Sequence, residues 1–179
     1  LIRGEGENAI VTIAQAIEQN FAVPKIIDGG IYQGFLETGV PYETKEDTSG
    51  SILYYESSRG CPYSCTYCLS SIHTLPRVRA KSVETTLTDL EAFEAFDNIR
   101  IVKFVDRTFN FDKNRAMAIW EALQSPKYTK NYHFEICASL LDQESLALLS
   151  RFEKGKIQLE IGVQTTNPKV LAAINRRDD

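Results

Sequence analysis

Two rhythms of apolar residues divide this chain. From Ser51 onward, short apolar runs alternate with stretches whose apolar residues recur at helical spacing, giving strand, loop and helix four times over. Ile52-Leu53-Tyr54-Tyr55-Glu56 opens the series as a strand, with a helix predicted over about 83–96 behind the cysteine loop. Strands at 99–105, 133–138 and 157–163 follow, leading into helices at about 113–123, 143–152 and 168–174. Pro168 at a first helical position, with Asn167 as its cap, marks the last start. Residues 1–50 read differently. Asn8 is placed to cap a helix through about residue 20, with Ile10, Ile13, Ala14 and Ile17 on one face, and Val23-Pro24 ends it. Residues 25–32 read as a hairpin turning on Gly29-Gly30, and 34–50, rich in Gly, Pro, Thr and acids, as a linker.

Successive βα units of roughly 32 residues dictate a parallel sheet. Four units fall short of the eight that close a barrel. The expected class is therefore α/β: a partial (β/α) barrel of about four βα units behind a short helix–hairpin region. Residues 1–50 are expected to be a linker region and 51–179 the N-terminal part of the barrel. A fourth strand without a fifth leaves an open edge. The chain also begins without Met, its one methionine being Met117. It reads as an excised piece of a longer protein, expected to be inactive alone.

Composition narrows the class. Hydrophobic residues make up 43% and charged residues 25%, the balance of a chain with a real core rather than a disordered one. No apolar run is long enough to span a bilayer, and the N-terminus lacks a signal-peptide pattern, so the expected location is the cytoplasm. The net charge of −4 argues against strong binding to a nucleic-acid backbone.

Three of the four cysteines change the picture. Arg59-Gly60-Cys61-Pro62-Tyr63-Ser64-Cys65-Thr66-Tyr67-Cys68 carries the spacing C-x3-C-x2-C on the loop after the first core strand. Disulfide frameworks spread their cysteines evenly in exported chains, whereas crowded thiols without an export signal point to metal. Soft thiolates suit an iron–sulfur cluster, and three ligands leave one of four irons open. Zinc is the competing reading, with Cys61, Cys65 and Cys68 joined by His73 in a Cys3His set. Cys137, on an apolar strand, reads as a small core residue.

The motif C-x3-C-x-aromatic-C on such a loop resembles the radical S-adenosylmethionine (SAM) superfamily. The resemblance implies a [4Fe–4S] cluster on Cys61, Cys65 and Cys68, with SAM on the open iron. It implies one-electron cleavage of SAM to methionine and a 5′-deoxyadenosyl radical, used for hydrogen abstraction or methylation of an unknown substrate. An electron donor such as flavodoxin or ferredoxin would be a partner. Tyr67 matches the aromatic that packs near SAM. Phe104 to Asn110 stands where the family has its amino-binding glycines; these are absent, leaving backbone contacts near Asp106 and Arg107. Glu135 matches the strand carboxylate that reaches the SAM ribose. Gly162-Val163-Gln164-Thr165, with Leu171 and Arg176, is similar to the oxygen-independent coproporphyrinogen oxidase-like and B12-binding branches. There the Gln lies near the sugar and the Arg pairs with the methionine carboxylate. Arg3-Gly4-Glu5-Gly6-Glu7 and Asp28-Gly29-Gly30 resemble the join after a cobalamin-binding domain, which would lie upstream.

Chemistry alone supports several of these positions. Strand ends are where βα folds carry their sites, and a planar guanidinium suits a carboxylate. Each residue also has an ordinary reading: Glu135 as a strand surface carboxylate, Arg176 solvated beside Arg177, Gln164 as a helix cap, Asp106 paired with Arg107 or Lys103. His73 and His133 read as structural or exposed rather than as ligands. The alternative function is a non-catalytic zinc- or cluster-binding module touching RNA through Arg77, Arg79 and Lys81.

Overall fold

The computed structural model describes residues 1–37, 39–42, 50–71 and 78–176; His73, Arg77 and Arg177 lie outside them. The chain forms two compact units, 1–38 and 39–179.

In the first unit, β1 (Ile2–Gly4) leads into α1 (Glu7–Glu18), which returns to β2 (Ile27–Gly30). β1 and β2 are parallel, Ile2 opposite Ile27 and Gly4 opposite Gly30. The hairpin expected at the glycine pair is therefore not formed. α1 serves as a crossover, and the glycines answer a different need. A Cβ on Gly29 would stand 1.9 Å from the Glu5 carbonyl oxygen, and Gly30 adopts φ +59°. The Glu5 N–H donates to the Gly30 carbonyl at 3.0 Å, so the two backbones touch where a side chain would separate them. The cap of α1 is Gly6, two residues before Asn8, and it makes no side-chain cap hydrogen bond. Its apolar face stays largely open, with Ile10 58% and Ile17 63% exposed.

The second unit is built on four parallel strands in the order β3-β6-β7-β8. They are β3 (Ile52–Tyr55), β6 (Ile101–Phe104), β7 (Asn131–Ile136) and β8 (Ile157–Ile161). Between them run α2 (Val83–Glu94), α3 (Lys113–Ala122) and α4 (Gln143–Leu149), with α5 (Pro168–Ala173) after β8. Caps hold the helix starts. Ser82, Asp112 and Asp142 each accept an N–H three residues on, and Asn167 accepts from Lys169 and Val170. Each such cap contributes about 1 kcal/mol.

Strand alternation gives the sheet two unlike faces. Leu53, Tyr55, Val102, Phe104, Tyr132 and Phe134 point to one face and are buried with Leu90, Phe93, Ile119 and Trp120 of the helices. Phe104 and Phe109 lie against Phe134 at ring-centroid distances of 4.5 and 4.3 Å. Tyr54, Lys103, His133, Glu135 and Glu160 fall on the opposite parity, and none of them is buried.

Like β1, two strands beside the cysteine segment are absent from the sequence reading. β4 (Ser58–Gly60) and β5 (Val78–Ala80) pair antiparallel, Arg59 opposite Arg79, and bracket the cysteine segment. Three-residue strands carrying arginine show no apolar alternation to reveal them.

Candidate cofactor site

The cysteine loop hangs from a buried polar knot. Ser57 donates its backbone N–H (2.8 Å) and hydroxyl (2.6 Å) to Asp106, and the Ser58 hydroxyl donates to the same carboxylate at 2.6 Å. Arg115 from α3 donates to the Ser57 hydroxyl at 2.8 Å and to the Lys81 carbonyl at 3.1 Å. Lys81 in turn meets Asp89, which also accepts from the Tyr55 hydroxyl at 2.7 Å. Burial pushes the Asp106 carboxyl up, against the pull of the Ser57 and Ser58 hydrogen bonds. The knot joins the ends of β3 and β6 to α2 and α3. It thus fixes the stalk from which Cys61 departs.

A second clasp comes from the far end of the chain. The Thr66 N–H donates to the Ile174 carbonyl at 3.0 Å, and the Asn175 amide to the Ser64 carbonyl (3.0 Å) and hydroxyl (2.7 Å). Arg176 donates to the Tyr67 hydroxyl at 2.8 Å and to the Gly162 carbonyl. Asn175 takes φ +52°, a left-handed turn that Asn tolerates better than most residues and that brings the α5 end onto the loop.

These contacts enclose a cleft of about 330 Å³. Cys61, Cys65, Cys68, Tyr67, Glu135, Gln164 and Arg176 all line it. Asp106 does not: it is fully buried and engaged by Ser57 and Ser58. Cys137 is buried to 5% exposure, as a core cysteine would be, yet it also forms cleft wall. The Asn110 amide holds its backbone from both sides, at 2.9 Å each. Residues the sequence reading did not single out complete the lining, among them Thr108, whose hydroxyl is 3.5 Å from Cys61 Sγ, and Glu160. Alternation offered a signal for Glu160, since it is the register partner of Glu135 on β8. Gln164 sits at φ +61°, turning the chain sharply after β8.

None of the four cysteines is joined in a disulfide. Burial pushes the Cys65 thiol up, Arg176 and a hydrogen bond with Tyr67 draw it down, and neighbouring Cys61 and Cys68 push it up further. Thiols that line one cleft are stabilised as thiolates by added positive charge, which a metal centre supplies. Among the described residues no three Cys, His, Asp or Glu side chains converge as a single ion requires. A cluster makes a looser demand, because its irons occupy separate corners. The sulfur donor set and the open cleft beside it fit such a group. The Glu135 carboxyl is raised by burial first and then by Glu160, while Arg107 and Lys103 draw it down.

Residues 55–179 match the family model described as the radical SAM superfamily. The chain belongs to that superfamily. The chain is 25% identical over 120 residues to an uncharacterized methyltransferase of Pyrococcus horikoshii, covering 67% of this chain and 26% of that protein. Among solved structures, the radical SAM methyltransferase TsrM of Kitasatospora setae, with tryptophan and a SAM analogue bound, superposes with TM-score 0.69 at 14% identity. That match covers 99% of this chain and 40% of TsrM. The cobalamin-dependent SAM radical enzyme OxsB in its apo form superposes with TM-score 0.71 at 20% identity, covering 97% and 29%. These likenesses establish the radical SAM fold, here as an open four-stranded portion. The chain spans about a quarter of the curated relative it matches. Among the described residues no helix is long and apolar enough to cross a membrane.

Proposed function

We propose that this chain is the cofactor-binding part of a cytoplasmic radical SAM enzyme, with Cys61, Cys65 and Cys68 as ligands of one [4Fe–4S] cluster. The observation that carries the reading is the meeting of those three thiols with Glu135, Gln164 and Arg176 in a single cleft. A cluster held there would supply one electron to SAM, giving methionine and a 5′-deoxyadenosyl radical. The chain's own residues bind and orient. Arg176, tied to Tyr67 and Gly162, presents a fixed guanidinium suited to the methionine carboxylate. Glu135 accepts hydrogen bonds from the ribose hydroxyls, and Gln164 lies beside the sugar. Tyr67 packs on the bound cofactor. Asp106 acts at one remove, holding the loop's stalk.

Methylation with help from cobalamin on an upstream domain is the overall reaction this reading favours, because TsrM and OxsB are a radical SAM methyltransferase and a cobalamin-dependent enzyme. Residues 1–50 would then join that domain to the core at 51–179. An acidic electron carrier such as flavodoxin or ferredoxin would supply the electron. The deciding experiment is iron, sulfide and zinc content after anaerobic reconstitution, beside a Cys61/Cys65/Cys68→Ala variant. About four irons and four sulfides per chain, lost in the variant, are expected. One zinc and no iron would overturn the reading in favour of a non-catalytic zinc module.

A further inference from the structure

The open face of the sheet carries a charged row that cofactor binding as described leaves unused. Glu135 on β7 and Glu160 on β8 are register partners, so two carboxylates stand side by side on one face at the rim of the cleft. Like charges so placed disfavour each other. Glu160 reaches back across β7. Its Oε2 is 3.1 Å from the Lys103 ammonium on β6 and 3.1 Å from His133 Nε2 on β7. Lys103 and His133 are themselves register partners. One ammonium, one imidazole and one carboxylate thus span three adjacent strands immediately beside Glu135.

We infer that Lys103, with His133 beside it, is a positioning residue that pins and neutralises Glu160 so that Glu135 stays ionised toward a ribose diol. The inference deepens the reading of Glu135 as the ribose acceptor and rests on it. Lys103 holds Glu160 below the ordinary carboxylate range, whereas burial and Glu160 hold Glu135 above it. The groups facing Glu135 are Glu160 on β8, Lys103 on β6, and Arg107 and Asp106 after β6, with His133 on its own strand. Burial and the Lys103 charge hold His133 below its ordinary value. The ammonium set against Glu160 is that of Lys103, with the His133 imidazole beside it. An ionised carboxylate accepts from both hydroxyls of a diol; a protonated one loses half of that capacity.

The sign follows. Removing Lys103 lets the Glu160 charge act fully on Glu135 and raises its pKa. Affinity for a ribose-bearing ligand then falls at a higher pH than in the wild type. The test is the SAM dissociation constant of the cluster-reconstituted chain from about pH 6 to about pH 8, with 2′-deoxy-SAM as the second probe. For Lys103→Met, SAM binding should be about threefold to tenfold weaker at the acid end than at the alkaline end, against a flatter wild-type profile. Lys103→Arg should restore the wild-type profile. Glu160→Gln should flatten it and cancel the Lys103→Met effect in the double variant. With 2′-deoxy-SAM the pH effect should shrink. If the wild type binds SAM and the Lys103→Met profile superimposes on it, the inference is overturned while the cofactor site stands. Should Lys103→Met fail to fold, Lys103→Gln takes its place, and a Lys103→Gln profile that superimposes on the wild type overturns it equally. Absence of SAM binding by the reconstituted wild type at every pH would overturn the site reading itself, and this inference with it.

Discussion

Lys103 and Phe104 are neighbours on one strand, and so are His133 and Phe134, yet each pair faces two different worlds. Phe104 and Phe134 are fully buried against the helices, while Lys103, His133 and Glu135 stand on the open face. The helix side is dry, aromatic and indifferent to charge. The other side concentrates charged groups near a cleft that three thiols also line. A strand with a side-chain period of two couples them rigidly, so stability on one face aims chemistry on the other. The division of labour is not complete: Asp106 and Arg115 are polar groups on the structural side, and they hold the stalk of the cysteine loop.

That contrast can be broken at several depths. The largest effect is expected from Phe134→Ala, which empties a site packed by Phe104, Phe109 and Trp120. It should cost about 3–5 kcal/mol in denaturant unfolding, without lowering the iron bound per folded chain. Asp106→Ala comes next. It strands the Ser57 N–H and two serine hydroxyls in a buried place, at roughly 2–3 kcal/mol. Unlike Phe134→Ala, it should also lower iron retention, because the loop's stalk loosens; equal iron retention in both variants would break the distinction drawn here.

Glu135→Gln tests the open face. It should leave unfolding within about 0.5 kcal/mol of the wild type. It should weaken SAM binding by about tenfold, measured on reconstituted chain. A destabilisation as large as that of Phe134→Ala would mean that Glu135 serves the fold. The smallest effect is expected at Asp142, an exposed cap. The Lys113 ammonium, and hydrogen bonds from Ser145, hold its carboxyl well below the usual range. A depressed carboxylate contributes stability above its unfolded value, about 3.9, which is lost as pH falls through its folded value. Asp142→Asn should therefore narrow the gap between neutral and strongly acid stability slightly, seen as a smaller Tm loss below about pH 4.

How much was legible beforehand follows from the range of each interaction. The core strands and helices fell where period-two and helical spacing put them, since those signals are local. Asn167-Pro168 marked the start of α5, and its cap bonds form. The glycine pair at 29–30 misled, because a close approach of parallel strands and a tight turn both call for glycine. The Cys61, Cys65 and Cys68 spacing pointed to a metal loop, and all three residues line one cleft. Asp106 was selected by its place at a strand end, and only burial revealed that its carboxylate turns to Ser57 and Ser58.

By itself, then, the sequence determined the βα alternation, the membership of the thiol trio and the strand ends on which polar residues fall. These are properties of neighbours along the chain, set by backbone geometry and side-chain period. Tertiary structure alone decided which of those strand ends meet. Arg176 reaches Tyr67 across more than a hundred residues. Glu160 crosses a strand to Lys103, and Asp106 turns inward. Such pairings depend on the order of strands in the sheet and on which face is left uncovered. No local pattern encodes either, because both arise only when separate βα units pack together.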